Sequence, residues 1–273
     1  MPNAVYELAP GALEQAEKLD EMREQGQILG HLHGIHVYLK EGEYPTNGRD
    51  GHSSTAGSSS GPVVAVAAGI ASTAIGTKTK GSLIFPATRA GIYTLKPILV
   101  SVPVIDRIPI SHRFDTAGSM ARSVHDLAHL LKLLWMNQKQ MLQKVANYTQ
   151  TVGSSFEETI NKYRLDSRIA PGDSDLSTLS AALGSLQLWV APSIIGILLA
   201  VYQLTCHITG IPIATLPLAY VQYNGRSISL QVVASRHQEA KLIKLMSAFE
   251  ATFPPRKPPT EFLYRRARLE DLY

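Results

Sequence analysis

The chain has 273 residues and a formal net charge of +4, with 45% hydrophobic and 18% charged residues. This is ordinary for a globular protein with room for a substantial core, and the charge is too mild to call for a nucleic-acid partner. Cys206 is the single cysteine, which excludes an intramolecular disulfide framework and a multi-cysteine metal site.

The start, Met1-Pro2-Asn3-Ala4, lacks the basic-then-apolar layout of a secretory signal. Leu13, Ala16, Leu19 and Met22 recur every three residues between Gly11 and Gly26, the pattern of an amphipathic helix. Gly34 to Lys40 is short, β-branched and aromatic, and reads as a strand. Residues 41–61 are rich in Gly, Pro, Asn, Asp and Ser, hence loop. Val63 to Ile70 follows Pro62 and carries no charge, so it reads as a helix buried on most sides. From Ala71 to Pro97, short apolar pieces alternate with Gly, Thr and Lys, like strands and tight turns. Val124, Leu127, Ala128, Leu131, Leu134 and Trp135 follow helical spacing, so a helix is expected over roughly 119–135.

Residues 136–187 are polar and weakly patterned, and are expected to form helical pieces joined by loops such as Pro171-Gly172-Asp173. Leu188 to Cys206 approaches the length of a membrane span. Pro192 and Gln203 interrupt it and no positive cluster flanks it, so it reads as a buried core element and the protein as cytoplasmic. Ile211–Tyr223 and Ser227–Ala234 are β-rich runs around Asn224-Gly225, a pair suited to a type I′ hairpin turn. Leu242, Leu245, Met246 and Phe249 mark a last helix before Pro254-Pro255. The basic tail Arg265-Arg266-Ala267-Arg268 reads as a solvated terminus.

Gly57-Ser58-Ser59-Ser60-Gly61 sets three hydroxyls directly before the buried helix. A helix N-terminus adds unpaired N–H groups and partial positive charge, which suits an anion or oxyanion; a serine-rich loop with no chemistry is the competing reading. The pentapeptide also fits G-x-S-x-G with Ser59 as the nucleophile, but that elbow needs a preceding strand. Asn47-Gly48-Arg49-Asp50-Gly51-His52 will not supply one. Thr79-Lys80-Gly81-Ser82 places a further serine beside a glycine. His31, His33 and His36 raise the question of a metal, since residues i and i+2 of a strand share a face. No acidic partners cluster nearby, so no metal is assigned there.

Residues 57–97, GSSSGPVVAVAAGIASTAIGTKTKGSLIFPATRAGIYTLKP, resemble the core of the amidase-signature family. That family carries a GGSS(G/S)G loop, an Ala-rich helix, a GTxTxGS turn and a GLKP segment. The likeness extends to GHLHGIHVYLKEG (30–42), to PISHRFDTAGSMARSVHDLAHLL (109–131) and to TGIPIATLPLAYVQYNGRSISLQVVAS (209–235), in the family's order. The chain resembles the fungal-type amidases in particular, as an internally shortened copy.

The resemblance implies an α/β/α sandwich around a mixed β-sheet, truncated, with residues 1–273 forming one shortened domain. Within it lie a helical segment at 136–205 and a basic C-terminal tail at 254–273. It implies a Ser-Ser-Lys triad: Ser82 as nucleophile, Ser58 (24 residues earlier) as bridging serine held by a cis peptide, and Lys40 as base. Backbone N–H groups of Thr79, Lys80, Gly81 and Ser82 would form the oxyanion hole. A lysine base must be neutral, which costs roughly 3–5 kcal/mol against an ordinary pKa of about 10.4. Asp115, Arg122 and Lys96 match family letters and are expected to hold structure.

Three features depart from the pattern. Lys40 and Ser58 are 18 residues apart, where the family has a much longer stretch. Lys78 and Lys80 stand at the turn's acidic positions, and Ile84 replaces an arginine. The segment after residue 136 is shorter than the family's substrate-pocket region. The expected function is a serine hydrolase cleaving a small-molecule carboxylic amide or ester through an acyl-enzyme; the alternative is an inactive amidase-like scaffold. Neither cofactor nor metal is called for, and no nucleic acid or membrane span. A partner or a homodimer is the expected cover for apolar faces that the shortening exposes.

Overall fold

The computed structural model describes residues 9–40, 57–79, 81–99, 101–102, 114–135, 162, 164, 168–171, 211–220 and 227–257. Among these, seven strands form one mixed sheet: β1 (Val37–Leu39), β2 (Thr73–Lys78), β3 (Tyr93–Lys96), β4 (Thr116–Ala121), β5 (Arg168–Pro171), β6 (Ile213–Tyr220) and β7 (Ser227–Val233). Their order is β1-β2-β4-β3-β6-β7-β5. β1 and β2 run parallel, and the other pairs are antiparallel.

Two-residue alternation along the strands sends side chains to two covered faces. On one face Ile75, Leu95, Ala117, Ala121, Leu216 and Val232 pack with Leu127 and Leu131 of α4 (Val124–Leu134) and with Leu242 and Met246 of α5 (Glu239–Thr252). On the other, Ala74 and Met120 pack with Val63 and Val66 of α2 (Ser60–Ala67) and with Leu83 and Ala87 at α3 (Ile84–Ala90). The expected α/β/α sandwich with a mixed sheet is therefore present.

Polar groups lock the layers. Ser123 caps α4, accepting from Asp126 N–H at 3.1 Å while its own hydroxyl donates to Asp126 Oδ2 at 2.8 Å. Glu250 of α5 accepts the Val124 N–H at 3.2 Å, which sets a carboxylate at a helix N-terminus. Arg256 donates to the carbonyls of Gly91 (2.9 Å) and Ala67 (3.1 Å), joining the ends of α3 and α2.

Several elements differ from their sequence expectation. The helix expected over 119–135 starts only after Ser123, because Ser119–Ala121 complete β4 between β2 and β3. Ile84–Ala90 is a helix rather than strand and turn, with Pro86 in its first turn where proline is tolerated. Residues 168–171, expected among helical pieces, are a strand paired to β7; four residues carry no period of their own, so the partner decides. The α1 stripe (α1, Ala12–Glu24) is not a core face: no α1 residue is buried, and Leu13 is 75% exposed. The Asn224-Gly225 turn, Leu188–Cys206 and most of the 136–205 segment lie outside the described residues.

Gly76 and Gly118 make the α2/α3 face close-packed. A Cβ on Gly118 would lie 2.5 Å from the Leu95 carbonyl oxygen and would also strike Leu83. Gly118→Ala should lower unfolding free energy by about 1–3 kcal/mol in a urea titration; an unchanged midpoint would contradict this packing. Tyr93 is pushed up from 10.0 to about 12, first by burial, then by Glu250 and Tyr220, with Arg256 opposing. The folded state keeps this proton between pH 10 and about 12 while the unfolded chain loses it, so stability falls as pH rises through that window. Tyr93→Phe should flatten that part of a pH series of thermal melts, and an unchanged slope would refute the assignment.

Candidate active site

The site begins at the end of β1. Parallel pairing of β1 with β2 continues one residue further, as Lys40 N–H donates to Ile75 O at 3.0 Å. Strand alternation then sends the lysine side chain towards the serine loop, where Lys40 Nζ donates to Ser58 Oγ at 2.5 Å. Lys40 and Ser58 are both half-buried.

Ser59, next in the chain, is fully buried and has a different task. Its N–H donates to Ser82 O at 3.1 Å and its hydroxyl to Thr77 O at 3.1 Å. One residue thus ties the serine loop to the end of β2 and to the turn bearing Ser82. Gly57 reinforces the approach: a Cβ there would lie 3.0 Å from Ser82 Cα and 2.8 Å from Pro86 Cδ. Gly76 leaves room for Ser59, whose Oγ would lie 2.9 Å from a Cβ at 76. A buried hydroxyl donating to a carbonyl is no accessible nucleophile, which removes Ser59 from the elbow reading. Ser58 and Ser82 remain partly exposed.

Thr79 and Gly81 flank Lys80, which lies outside the described residues. The Thr79 hydroxyl donates to Asp115 Oδ1 at 2.5 Å, so the segment entering β4 steadies the turn. Gly81 lies under the Phe85 ring, which a Cβ at 81 would strike, and its carbonyl accepts the Phe85 N–H at 3.1 Å. The structure therefore gathers Lys40, Ser58, Thr79, Gly81 and Ser82 around the ends of β1 and β2 and the start of α3. The Asp115 contact and the Ser59 clamp were not separable by sequence; the one clue was that both lie in family-like letters.

The cis peptide implied at Ser58 is not found: among the described residues every peptide bond is trans. Trans is the lower-energy form for a non-proline residue by about 2.5–4 kcal/mol, and the Lys40–Ser58 bond is made with it. Two of the sequence departures are buried. Lys78 is 1% exposed in β2. Ile84 packs with Ile211, Ile213 and Val233, an apolar pocket in which an arginine would lose its solvation. Lys96 is also buried, with Nζ donating to Pro97 O at 2.8 Å. A Cβ on Gly69 would approach Arg122 Nη1 to 3.1 Å, which places that arginine beside the end of α2.

The histidines of the first strand region separate. His33 accepts the Leu29 N–H on Nδ1 at 3.2 Å, which leaves Nε2 to donate to Leu19 O at 2.8 Å. His36 Nε2 lies 3.2 Å from Ile70 O, placed to donate. Only His31 is left facing other imidazoles, those of His125 and His129. No helix among the described residues is long and apolar enough to cross a membrane.

Comparison with known proteins agrees with the motif order. The family model described as Amidase matches residues 42–170, a span that opens just after Lys40 and includes both serines. A protein of Arthroderma benhamiae named as an amidase is 28% identical over 194 residues, covering 48% of this chain and 33% of that protein. One of Schizosaccharomyces pombe, also named as an amidase, is 28% identical over 196 residues, covering 49% and 34%. The matched stretch thus spans about a third of these relatives' length. Among solved structures, the native peptide amidase of Stenotrophomonas maltophilia superposes with a TM-score of 0.62 at 21% identity, covering 93% of this chain and 89% of that one. An amidase family protein of Bacillus anthracis gives 0.64 at 18% identity, covering 93% and 84%. At such identities the structures speak for the fold. In its ordered motifs, its sandwich fold and its family match over residues 42–170, the chain is similar to the amidase-signature family.

Proposed function

We propose that the chain is an amidase-type serine hydrolase that cleaves a small carboxylic amide or ester through an acyl-enzyme. The observation that carries this reading is the 2.5 Å hydrogen bond from Lys40 Nζ to Ser58 Oγ, beside a loop tied by Ser59 to the Ser82 turn. In the reading, neutral Lys40 accepts a proton from Ser58, which takes one from Ser82 as its Oγ attacks the carbonyl carbon. Negative charge on the carbonyl oxygen is met by the backbone N–H groups of Thr79, Lys80, Gly81 and Ser82. The C–N or C–O bond then breaks, and the leaving group takes the proton back through the same two side chains. Water hydrolyses the Ser82 ester by the reverse relay.

Asp115 acts on this turn without touching substrate. Its carboxylate accepts from the Thr79 hydroxyl, which resists rotation of the peptide planes that aim the N–H groups. One observation favours the second reading, a non-catalytic scaffold: Lys78, at an acidic family position, is buried in the strand that leads into the turn.

A fluorophosphonate probe separates the two. Wild-type protein should label, and Ser82→Ala should abolish labelling and lower turnover of a small aryl amide at least about 10³-fold. Lys40→Ala should do the same without changing the far-UV circular dichroism. Folded wild-type protein that neither labels nor turns over such amides or the matching esters sinks the catalytic reading. Asp115→Asn keeps the shape but weakens a charge-assisted bond, and should lower kcat by roughly 10-fold with little change in KM. A change confined to KM would remove Asp115 from the role of holding the oxyanion turn.

A further inference from the structure

A cluster remote in role from the serine loop is built by two elements. His125 and His129 lie one turn apart on α4, so their side chains share a face. His31 comes from the turn after α1 and lays its ring on His129, with centroids 4.1 Å apart at 42°. The His125 and His129 rings are 4.4 Å apart, and their Nε2 atoms approach to 3.2 Å.

That last distance has a chemical meaning. A late first-row divalent cation binds imidazole nitrogen at about 2.0–2.1 Å, so two such bonds at angles between a right angle and the tetrahedral one set the nitrogens roughly 2.9–3.4 Å apart. The pair already stands at that separation on one helix, and the proton of its hydrogen bond is given up when the metal binds. The second nitrogen of His125 is also suitably disposed. Its Nδ1 faces Asp126 Oδ1 at 3.6 Å, and a carboxylate on that side favours the tautomer that leaves the Nε2 lone pair for a metal. Asp126 is itself held by Ser123, and the His125 side chain is 72% exposed, open to ions in solution.

We propose that His125 and His129 form an open, two-nitrogen chelate for a late first-row divalent cation such as Zn²⁺, with the His31 ring packed on its flank. Among the described residues no group of three or more His, Cys, Asp or Glu side chains is arranged to hold a metal ion. The chelate is therefore not a closed structural site, and water or an external donor completes the coordination. Bound metal would staple successive turns of α4, and its binding free energy would add to the stability of the folded chain.

Isothermal titration of the whole chain with zinc chloride tests this. One equivalent should bind, with a rise in melting temperature. His125→Gln and His129→Gln should each weaken binding at least about 10-fold and abolish the rise, while His237→Gln, at an exposed histidine elsewhere, should change neither. On unmodified protein, Zn²⁺ should selectively shift the Nε2 resonances of His125 and His129 in a histidine-optimised nitrogen–proton spectrum. No binding, binding that survives both α4 variants, or shifts confined to other histidines would each overturn the site.

Discussion

The arrangement depends on Ser59. Its N–H holds the carbonyl of Ser82 and its hydroxyl holds the carbonyl of Thr77, so one buried residue ties the serine loop to both the end of β2 and the turn after it. Leaving either partner unsatisfied in this interior would cost about 1–3 kcal/mol, which makes the junction stiff. Stiffness is what the neighbouring hydroxyls need. Ser58 and Ser82 stay partly exposed while Ser59, with both of its donors occupied, is fully buried.

Close approach is the second half of the same constraint. Gly57, Gly76 and Gly118 are positions where a side chain would strike Ser82, Ser59 or the Leu95 carbonyl. Their bare backbone lets α2 and α3 settle onto β2 and β4, with Leu83 filling the space between. The parallel β1–β2 pair brings in the remaining piece, because Lys40 extends that pairing by one hydrogen bond before its side chain reaches Ser58. The Lys40–Ser58 contact is made with only 18 residues of chain between them.

The interior also tolerates changes of charge at family positions. Ile84 has become part of an aliphatic contact with Ile211, Ile213 and Val233, and Lys78 is buried in its strand, as is Lys96, which keeps the family's lysine. Buried cations are sustained only by partners; Lys96 finds one in the Pro97 carbonyl. The sandwich shared with solved amidase structures at TM-scores of 0.62 and 0.64 thus persists through substitutions that alter its internal electrostatics.

Much of this was legible in one dimension. Period-three and period-four spacing located α1, α4 and α5, because such periodicity is written locally, and β-rich runs around Asn224-Gly225 located β6 and β7. The letters around Ser58, Ser82 and Lys40, in order, were enough to name the family and the candidate triad. What sequence alone could not decide were contacts between segments distant in the chain. The four residues of β5 become a strand only because β7 offers an edge, and the start of α4 is set back because β4 is claimed by two neighbouring strands. The distinction between Ser59, clamped and buried, and Ser58, half-exposed on Lys40, rests on which carbonyls lie below the loop. The meeting of His31 with His125 and His129 depends in the same way on where the turn after α1 comes to rest. Local composition carries periodicity and chemistry; burial and pairing are properties of the whole fold.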